Sequence, residues 1–250
     1  MAELQKIDAV VLGAIRWRES SKIVHLYSRE LGSIRVIAKG ALRPKSPFRG
    51  VLETLNHIEA IISSKQTRSL QILTNATLTS SYLQIRDDLE KTAVSFSILE
   101  MLAALFSVHE PVEDFFDYSM HLLQQIETNA TENNLPFLWH FLYRCADALG
   151  FSWNFAKCLN CPKAAIDGPI FLDAANSGFR CGSCRRFAAR GQEALSLAEW
   201  QALLQFLAHD MPESNTIPDF DAGWLTQLML RQLIIHTDIQ LELKSLKWYM

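Results

Sequence analysis

The chain has 250 residues, 49% of them hydrophobic and 20% charged, and its 24 Lys and Arg against 27 Asp and Glu leave a formal net charge of -3. That is enough apolar material to bury one large core or two to three small ones, which excludes a disordered or fibrous chain. Met1 to Asp8 contain neither a cationic nor an apolar leader run, and no stretch approaches the roughly 18 uncharged apolar residues of a membrane span, so a soluble, cytoplasmic protein with no membrane partner is expected.

The first eighty residues carry a strand rhythm. Apolar and β-branched runs at 7–15, 22–27, 32–38, 55–62 and 69–73 are divided by turn-like Arg18-Glu19-Ser20-Ser21, Arg29-Glu30-Leu31-Gly32 and Ser63-Ser64-Lys65, which predicts five short strands. Five strands in so short a segment close their edges most simply as a small barrel, and a basic five-stranded barrel is what oligonucleotide-binding (OB) folds use. The charge agrees, because residues 1–80 hold twelve Lys and Arg against six Asp and Glu, whereas the remainder holds twelve against twenty-one. A polyanion would be drawn to the N-terminal part alone.

Within that part, residues 31–52 contain Arg35, Lys39, Arg43, Lys45 and Arg49 and no acid. On a strand, Arg35, Ile37 and Lys39 share one face and Ile34, Val36 and Ala38 the other, so the apolar set can enter the barrel while the cations point out. Beyond Gly40, Pro44 and Pro47 interrupt any periodicity, and an extended loop with cations spaced along it is expected, able to follow a phosphate backbone. An ordinary solvated basic face would have the same composition. Phe48, Trp17 and Tyr27 suit either base stacking or the barrel core.

From about Leu89 the period becomes helical, with apolar residues three and four apart over 90–107, 112–127 and 135–149. Cys145, inside the last of these, reads as a small buried hydrophobe or as a reactive thiol. Then come Cys158-x2-Cys161 and Cys181-x2-Cys184, separated by the nineteen residues 162–180. Two thiolate pairs at this spacing complete the tetrahedral shell of one structural zinc ion per chain and leave no position for water or substrate. The loop 162–180 is too small to form a core, so coordination would supply its folding energy, with a redox or metal-sensing role as the alternative. Arg180, Arg185, Arg186 and Arg190 cluster at the second pair, placed either to offset tetrathiolate charge or to extend a polyanion-binding surface. A capping box, Ser196 to Glu199, opens a helix to about His209, and a final helix spans about 221–236.

The predicted organisation is an α+β multidomain chain: a five-stranded OB barrel over 1–80, a helical domain over 81–157, an inserted four-cysteine zinc module over 158–190, and C-terminal helices over 191–250 that pack on the helical domain. No catalytic constellation is found. There is no phosphate-binding glycine loop, no nucleophile elbow and no His-x-Glu ahead of the second cysteine pair. Asp87-Asp88 and Glu113-Asp114 are adjacent pairs rather than an inward-facing nuclease site, so the chain is not expected to be an enzyme. A zinc-ribbon transcription or RNA-binding factor with a basic OB barrel shares these features and remains the alternative function.

The run Arg18-Glu19-Ser20-Ser21-Lys22, then Glu30-Leu31-Gly32-x-Ile34-Arg35, then Ala38-Lys39-Gly40-Ala41-x-Arg43-x-Lys45-Ser46-x-Phe48-Arg49-Gly50, resembles the N-terminal domain of the bacterial RecO family of recombination mediators, and the order of the remaining elements is similar too. The resemblance implies binding of single- and double-stranded DNA, single-strand annealing on strands coated by single-stranded DNA-binding protein, and cooperation with RecR to load RecA in RecF-pathway DNA repair and recombination after DNA damage. It implies a cytoplasmic, nucleoid-associated protein. Carried over by position, it places DNA contacts on Arg35, Lys39, Arg43, Lys45 and Arg49, with Arg18 and Lys22 as weaker candidates, and zinc on Cys158, Cys161, Cys181 and Cys184. The acidic C-terminal tail of single-stranded DNA-binding protein needs an apolar groove beside a cation. Arg144, on the helix carrying Phe137, Leu138, Phe141 and Leu142, is the candidate, unless it merely flanks the core.

Overall fold

A computed structural model describes residues 3–65, 67, 68, 70–106, 111–161, 168–187, 194–212 and 221–247, with the backbone alone at 222. It divides into two compact units, one taking in residues up to Thr128 together with Leu243 onwards, the other running from Asn129 to Glu242.

The first unit is built on a closed barrel of β1 (Glu3–Trp17), β2 (Ser21–Ser28), β3 (Gly32–Ala38), β5 (Gln71–Ser80) and β4 (His57–Ser64), in that spatial order. Every pairing is antiparallel except β3 with β5. β1 is long because it serves two neighbours: Glu3 to Val10 pair with β4, and Ala9 to Trp17 with β2. A register shift between Val11 and Gly13 bends it between these partners, as closing so small a barrel demands.

Alternation fills the interior. Ile7, Ala9 and Val11, Val24 and Leu26, Ile34, Val36 and Ala38, and Ile58, Ala60 and Ile62 form one buried cluster. Each fully buried aliphatic side chain contributes about 1.5–3 kcal/mol, so the barrel needs no further device to hold its strands. Over the outer face lie α1 (Leu83–Asp87), α2 (Leu89–Leu105) and α3 (Glu113–Thr128). Tyr27 of β2, fully buried, meets the rings of Phe106 and Phe116 at 5.5 and 5.8 Å. Arg29 grips Asp117 of α3 through two hydrogen bonds of 2.9 and 3.0 Å. A short helix, α7 (Lys244–Lys247), packs on α2, and Ser245 donates its N–H and hydroxyl to Glu100.

The helical stretch expected as one domain over 81–157 is therefore divided: α1 to α3 cluster with the barrel, and α4 (Leu135–Ala148) belongs to the second unit. Helical periodicity shows that a face is buried, not what covers it. The second unit joins α4, α5 (Leu197–Ala208) and α6 (Ala222–Thr237) to a small hairpin of β6 (Phe171–Asp173) and β7 (Gly178–Arg180). The expected capping box is formed at the start of α5, with Ser196 and Glu199 bonding each other's backbone. Trp139 donates to Thr226 at 2.9 Å, and Trp200 is wedged between Phe155 and Phe179.

A basic loop on the barrel and a four-cysteine centre

The cations of the barrel fall into two groups. Arg35, on the outer side of β3, and Lys39, in the turn just past its end, are exposed, while Ile34, Val36 and Ala38 enter the core as their alternation requires. His25 faces Arg35 across the β2–β3 ladder. Burial, and then the Arg35 guanidinium, holds this imidazole below its ordinary range. It stays neutral near pH 7 and leaves the charge of that face to Arg35.

The second group lies on the segment between β3 and β4, and its conformation differs from the extended loop expected. Successive turns run along it: Arg43 N–H donates to Gly40 carbonyl, Ser46 to Arg43, Arg49 to Ser46 and Val51 to Phe48, at 3.0–3.2 Å. The prolines cause this. Pro44 and Pro47 each sit one residue into a turn, where a fixed φ is favourable, and Ser46 begins its turn by accepting from the Phe48 N–H at 3.2 Å. Gly40, at φ +71, starts the series, and a side chain there would be strained against its backbone and would touch the Arg43 side chain at 3.4 Å. Arg43, Lys45 and Arg49 are all exposed.

Ala41, Phe48 and Leu52 belong to the barrel's buried cluster and anchor the chain of turns from beneath. Phe48 is 7% exposed and is a plug rather than a stacking platform. Tyr27, buried against Phe106 and Phe116, is likewise unavailable. Trp17 is 42% exposed and is the aromatic of the three that can meet a ligand. The β1–β2 turn carrying Arg18, at φ 55, joins the basic segment through the hydrogen bond from Leu42 N–H to Ser20 carbonyl.

Lys22, Arg43 and Arg49 line one depression of about 420 Å³, together with Leu42, Phe48 and Glu53. Lys22 is not a free cation there. Its ammonium lies 3.0 Å from the Glu53 carboxylate. For Arg18, Arg35, Lys39, Arg43, Lys45 and Arg49 no carboxylate lies within ion-pair distance among the described residues.

Two residues that position this loop carried no sequence signal. Asn56, 2% exposed, donates its amide to the carbonyls of Gly50 and Val51 at 2.8 and 2.9 Å. Arg86 of α1 donates to the Asn56 side-chain oxygen and to the Thr54 carbonyl. An amide satisfied by backbone five and six residues away belongs to no periodic pattern and no short motif.

In the second unit, Cys158, Cys161, Cys181 and Cys184 each turn one sulfur inward, and the four Sγ atoms lie within 4.8 Å of one another. A tetrahedral tetrathiolate zinc has sulfurs about 3.8 Å apart, and Cys161 and Cys181 are at 3.6 Å. The N–H groups of Asn160 and Cys181 both point at Cys158 Sγ, at 3.5 Å, as donors do toward a metal-bound thiolate. The four side chains thus fit a structural metal ion. Gly178 allows the two chain segments to meet, since a Cβ there would lie 2.9 Å from the Leu159 side chain. Arg180 does not balance the sulfurs. It pairs with Asp173 and donates to Asn160 at 2.8 Å. Arg185 and Arg186 are exposed, the latter over the Phe187 ring, and Arg190 lies outside the described residues.

Arg144 is half-buried on α4, and the neighbouring His140 is held low mainly by burial, to which the Arg144 charge adds. Phe137, Leu138, Phe141 and Leu142 are core side chains and offer no groove. A depression of about 650 Å³ does open beside them, lined by Tyr143, Trp153, Phe155, Leu204 and Leu207. Cys145 is fully buried, and burial pushes its thiol well above the ordinary range, so it packs as a hydrophobe.

The sequence matches two family models, one described as Recombination protein O N terminal over residues 1–82 and the other as Recombination protein O C terminal over residues 86–247. Curated relatives carry the name DNA repair protein RecO. One from Prosthecochloris aestuarii is 30% identical over 174 residues, which is 70% of this chain and 63% of that protein. Another, from Chloroherpeton thalassium, is 29% identical over 171 residues, 68% of this chain and 66% of the relative. A third, from an Exiguobacterium species, is 26% identical over 233 residues, covering 92% and 88%. The chain thus spans just under two thirds of the length of the first two relatives.

Proposed function

The chain belongs to the recombination protein O family, and from that membership we propose that it is a DNA-binding recombination mediator acting in recombinational DNA repair. It binds single- and double-stranded DNA, anneals complementary strands, and with RecR helps load RecA on strands coated by single-stranded DNA-binding protein. The observation that carries this reading is the group of exposed cations at Arg35, Lys39, Arg43, Lys45 and Arg49, which have no carboxylate within ion-pair distance among the described residues and stand on an acid-free segment whose backbone is anchored by the barrel core and Asn56.

Such a surface can promote annealing without making or breaking a bond. Two phosphate backbones brought to one basic surface are partly neutralised, their repulsion falls, and released counterions provide entropy. No general acid, base or nucleophile is needed, so the protein is proposed to work without catalysis. Arg18 extends the surface across the β1–β2 turn, and Lys22 joins it only when the Glu53 pair opens.

In this reading the four-cysteine centre holds one zinc ion, which stabilises a module that has no room for a core of its own. The acidic tail of single-stranded DNA-binding protein docks in the second unit, its apolar residues in the depression beside Tyr143 and its carboxylate near Arg144. The protein works in the cytoplasm, at the nucleoid.

Annealing of protein-coated complementary strands is the direct test. Five neutralised phosphates predict that log affinity for single strands falls with log salt with a slope of about -3.5. Replacing Arg35, Lys39, Arg43, Lys45 and Arg49 with Ala should flatten that slope and abolish annealing. A parent protein whose binding ignores salt would remove the proposal.

A further inference from the structure

The depression that Lys22, Arg43 and Arg49 share is concave, and it already contains an anion of the protein's own, the Glu53 carboxylate. Its volume of about 420 Å³ falls within the roughly 300–1,000 Å³ of small-ligand sites, and Arg35, Lys39 and Lys45 line no part of it. Its cations are held in different ways. Lys22 comes from β2, opposite Ala38 of β3. Its side chain is 21% exposed and that of Glu53 is 57% exposed, so in this pair the ammonium is the deeper group and the carboxylate the outer one. The Arg43 side chain folds back over Gly40, where a Cβ would lie 3.4 Å from its Cδ and 3.6 Å from its Nε. The Arg49 N–H is bonded to the Ser46 carbonyl at 3.2 Å, and Phe48 anchors that turn in the core.

Three cations line the depression beside one carboxylate, and that carboxylate pairs with Lys22, so the charges of Arg43 and Arg49 are left uncompensated there. The ligand that answers this arrangement is compact, carries more than one negative charge and offers several oxygens. A phosphate monoester has a charge of about -1.5 to -2 at pH 7 and three strong acceptor oxygens, and a guanidinium fork matches phosphate with two donors. A phosphodiester inside a strand has a single charge and chain on both sides. It can cross the mouth of a hollow, whereas a terminal phosphate can enter it.

We infer that the depression formed by Lys22, Arg43 and Arg49 is a site for a terminal phosphate monoester, with Glu53 as an internal competitor that the phosphate displaces from Lys22. This rests on the proposed DNA-binding function and adds a distinction to it. The cations outside the hollow meet the phosphates of a continuous strand, and the hollow meets a phosphorylated strand end. Glu53 tunes this site without closing it, because opening a partly exposed ion pair costs at most about fivefold in affinity. A free nucleotide offers the same monoester chemistry, and the two sources are separable.

The test is fluorescence anisotropy of the full chain with one oligonucleotide, labelled at its 3′ end and carrying either a 5′-phosphate or a 5′-hydroxyl, at one salt concentration. The phosphate should tighten binding about tenfold, as expected for added charge-assisted hydrogen bonds. Lys22→Gln and Arg49→Gln, each alone, should cut that ratio to about twofold or less, and Glu53→Gln should raise it about threefold. A general loss of fold weakens both strands together and cannot produce the rise at Glu53. A ratio of one in the parent, or a ratio that survives both Lys22→Gln and Arg49→Gln, overturns the site, and a ratio unmoved by Glu53→Gln overturns the competitor role. Adenosine 5′-monophosphate as a competitor identifies the source: erasing the preference only at millimolar concentration supports a strand end, and erasing it at micromolar concentration overturns that source in favour of a free nucleotide. If neither strand binds, the DNA reading fails, and phosphorus NMR of the same nucleotide still reads the hollow. Its signal should broaden with the parent protein and not with Arg49→Gln, and no broadening with the parent overturns the site as well.

Discussion

The segment from Lys39 to Asn56 and the segment from Cys158 to Phe187 pose the same physical problem and solve it differently. The regular structure of each is short, a series of turns in the first and the three-residue strands β6 and β7 in the second, so backbone hydrogen bonds alone do little to order either. The basic segment borrows a core. Ala41, Phe48 and Leu52 reach down into the barrel, and the Asn56 amide ties the carbonyls above them. The cysteine segment draws four sulfurs to within 4.8 Å of one another, the arrangement that a metal ion can hold. A cationic surface cannot be organised around a cation, whereas four thiolates can. The kind of chemistry each segment displays decides which kind of anchor it can use.

The sharpest way to break this comparison is to treat the protein with a metal chelator. Coordination energy in structural zinc modules is roughly 10–16 kcal/mol, so chelation should unfold the cysteine segment outright. Limited proteolysis should then cut between Cys158 and Phe187 while the barrel strands stay intact. A chelated protein that resists cleavage there would show that the segment has an anchor other than its thiolates.

The corresponding test on the barrel is Phe48→Ala. Deleting a large aromatic from a site only 7% exposed should cost about 3–5 kcal/mol in urea unfolding. DNA binding should fall with it even though no cation is changed. Full stability with lost binding would mean that Phe48 is a contact and not a plug.

Acid gives the smallest effect and should fall mainly on the cysteine-bearing unit. Burial, opposed by the hydrogen bond to the His209 carbonyl, pulls His140 from 6.5 down to about 4. A folded value below the unfolded one means that unfolding takes up the proton. The stabilisation is complete above pH 6.5 and is lost as pH falls from 6.5 toward 4, by at most ~3 kcal/mol. Tryptophan fluorescence reports largely on this unit, through Trp139, Trp153, Trp200 and Trp224, and its urea midpoint should drop across that window. A His140→Gln protein should show a flatter profile. Metal release on protonation of the thiolates would add to the loss in the same unit and can be separated by repeating the series after chelation.

Much of this architecture is legible in the residues themselves. Ile34, Val36 and Ala38 alternate with Arg35, Ile37 and Lys39, and that period of two assigns the core and solvent sides of β3 correctly. The cysteine spacing and the Ser196 capping box are local signals, and both form as their patterns dictate. What stays hidden is non-local or too short to have a period. Helices α1 and α7 span five and four residues, less than is needed to show a face. The prolines of the basic segment read as an interruption, although each of them sets a turn. A row of four isoleucines across the barrel appears only when register is known, because Ile15, Ile23, Ile37 and Ile72 come from four separate strands and each looks like an ordinary strand residue. Asn56 and Glu53 act through partners that no spacing rule connects to them.

The return of the chain to its first unit has a consequence for the order of events during synthesis. Ser245 meets Glu100 across 145 positions of sequence, with the whole of the second unit in between. A ribosome making this protein delivers the barrel and α2 long before α7, so the helix that completes the first unit reaches it only after the cysteine-bearing unit has emerged. The intervening unit is thus a parenthesis in the translated text. It can fold as soon as it is read, while the clause that encloses it stays open until Leu243 to Lys247 arrive.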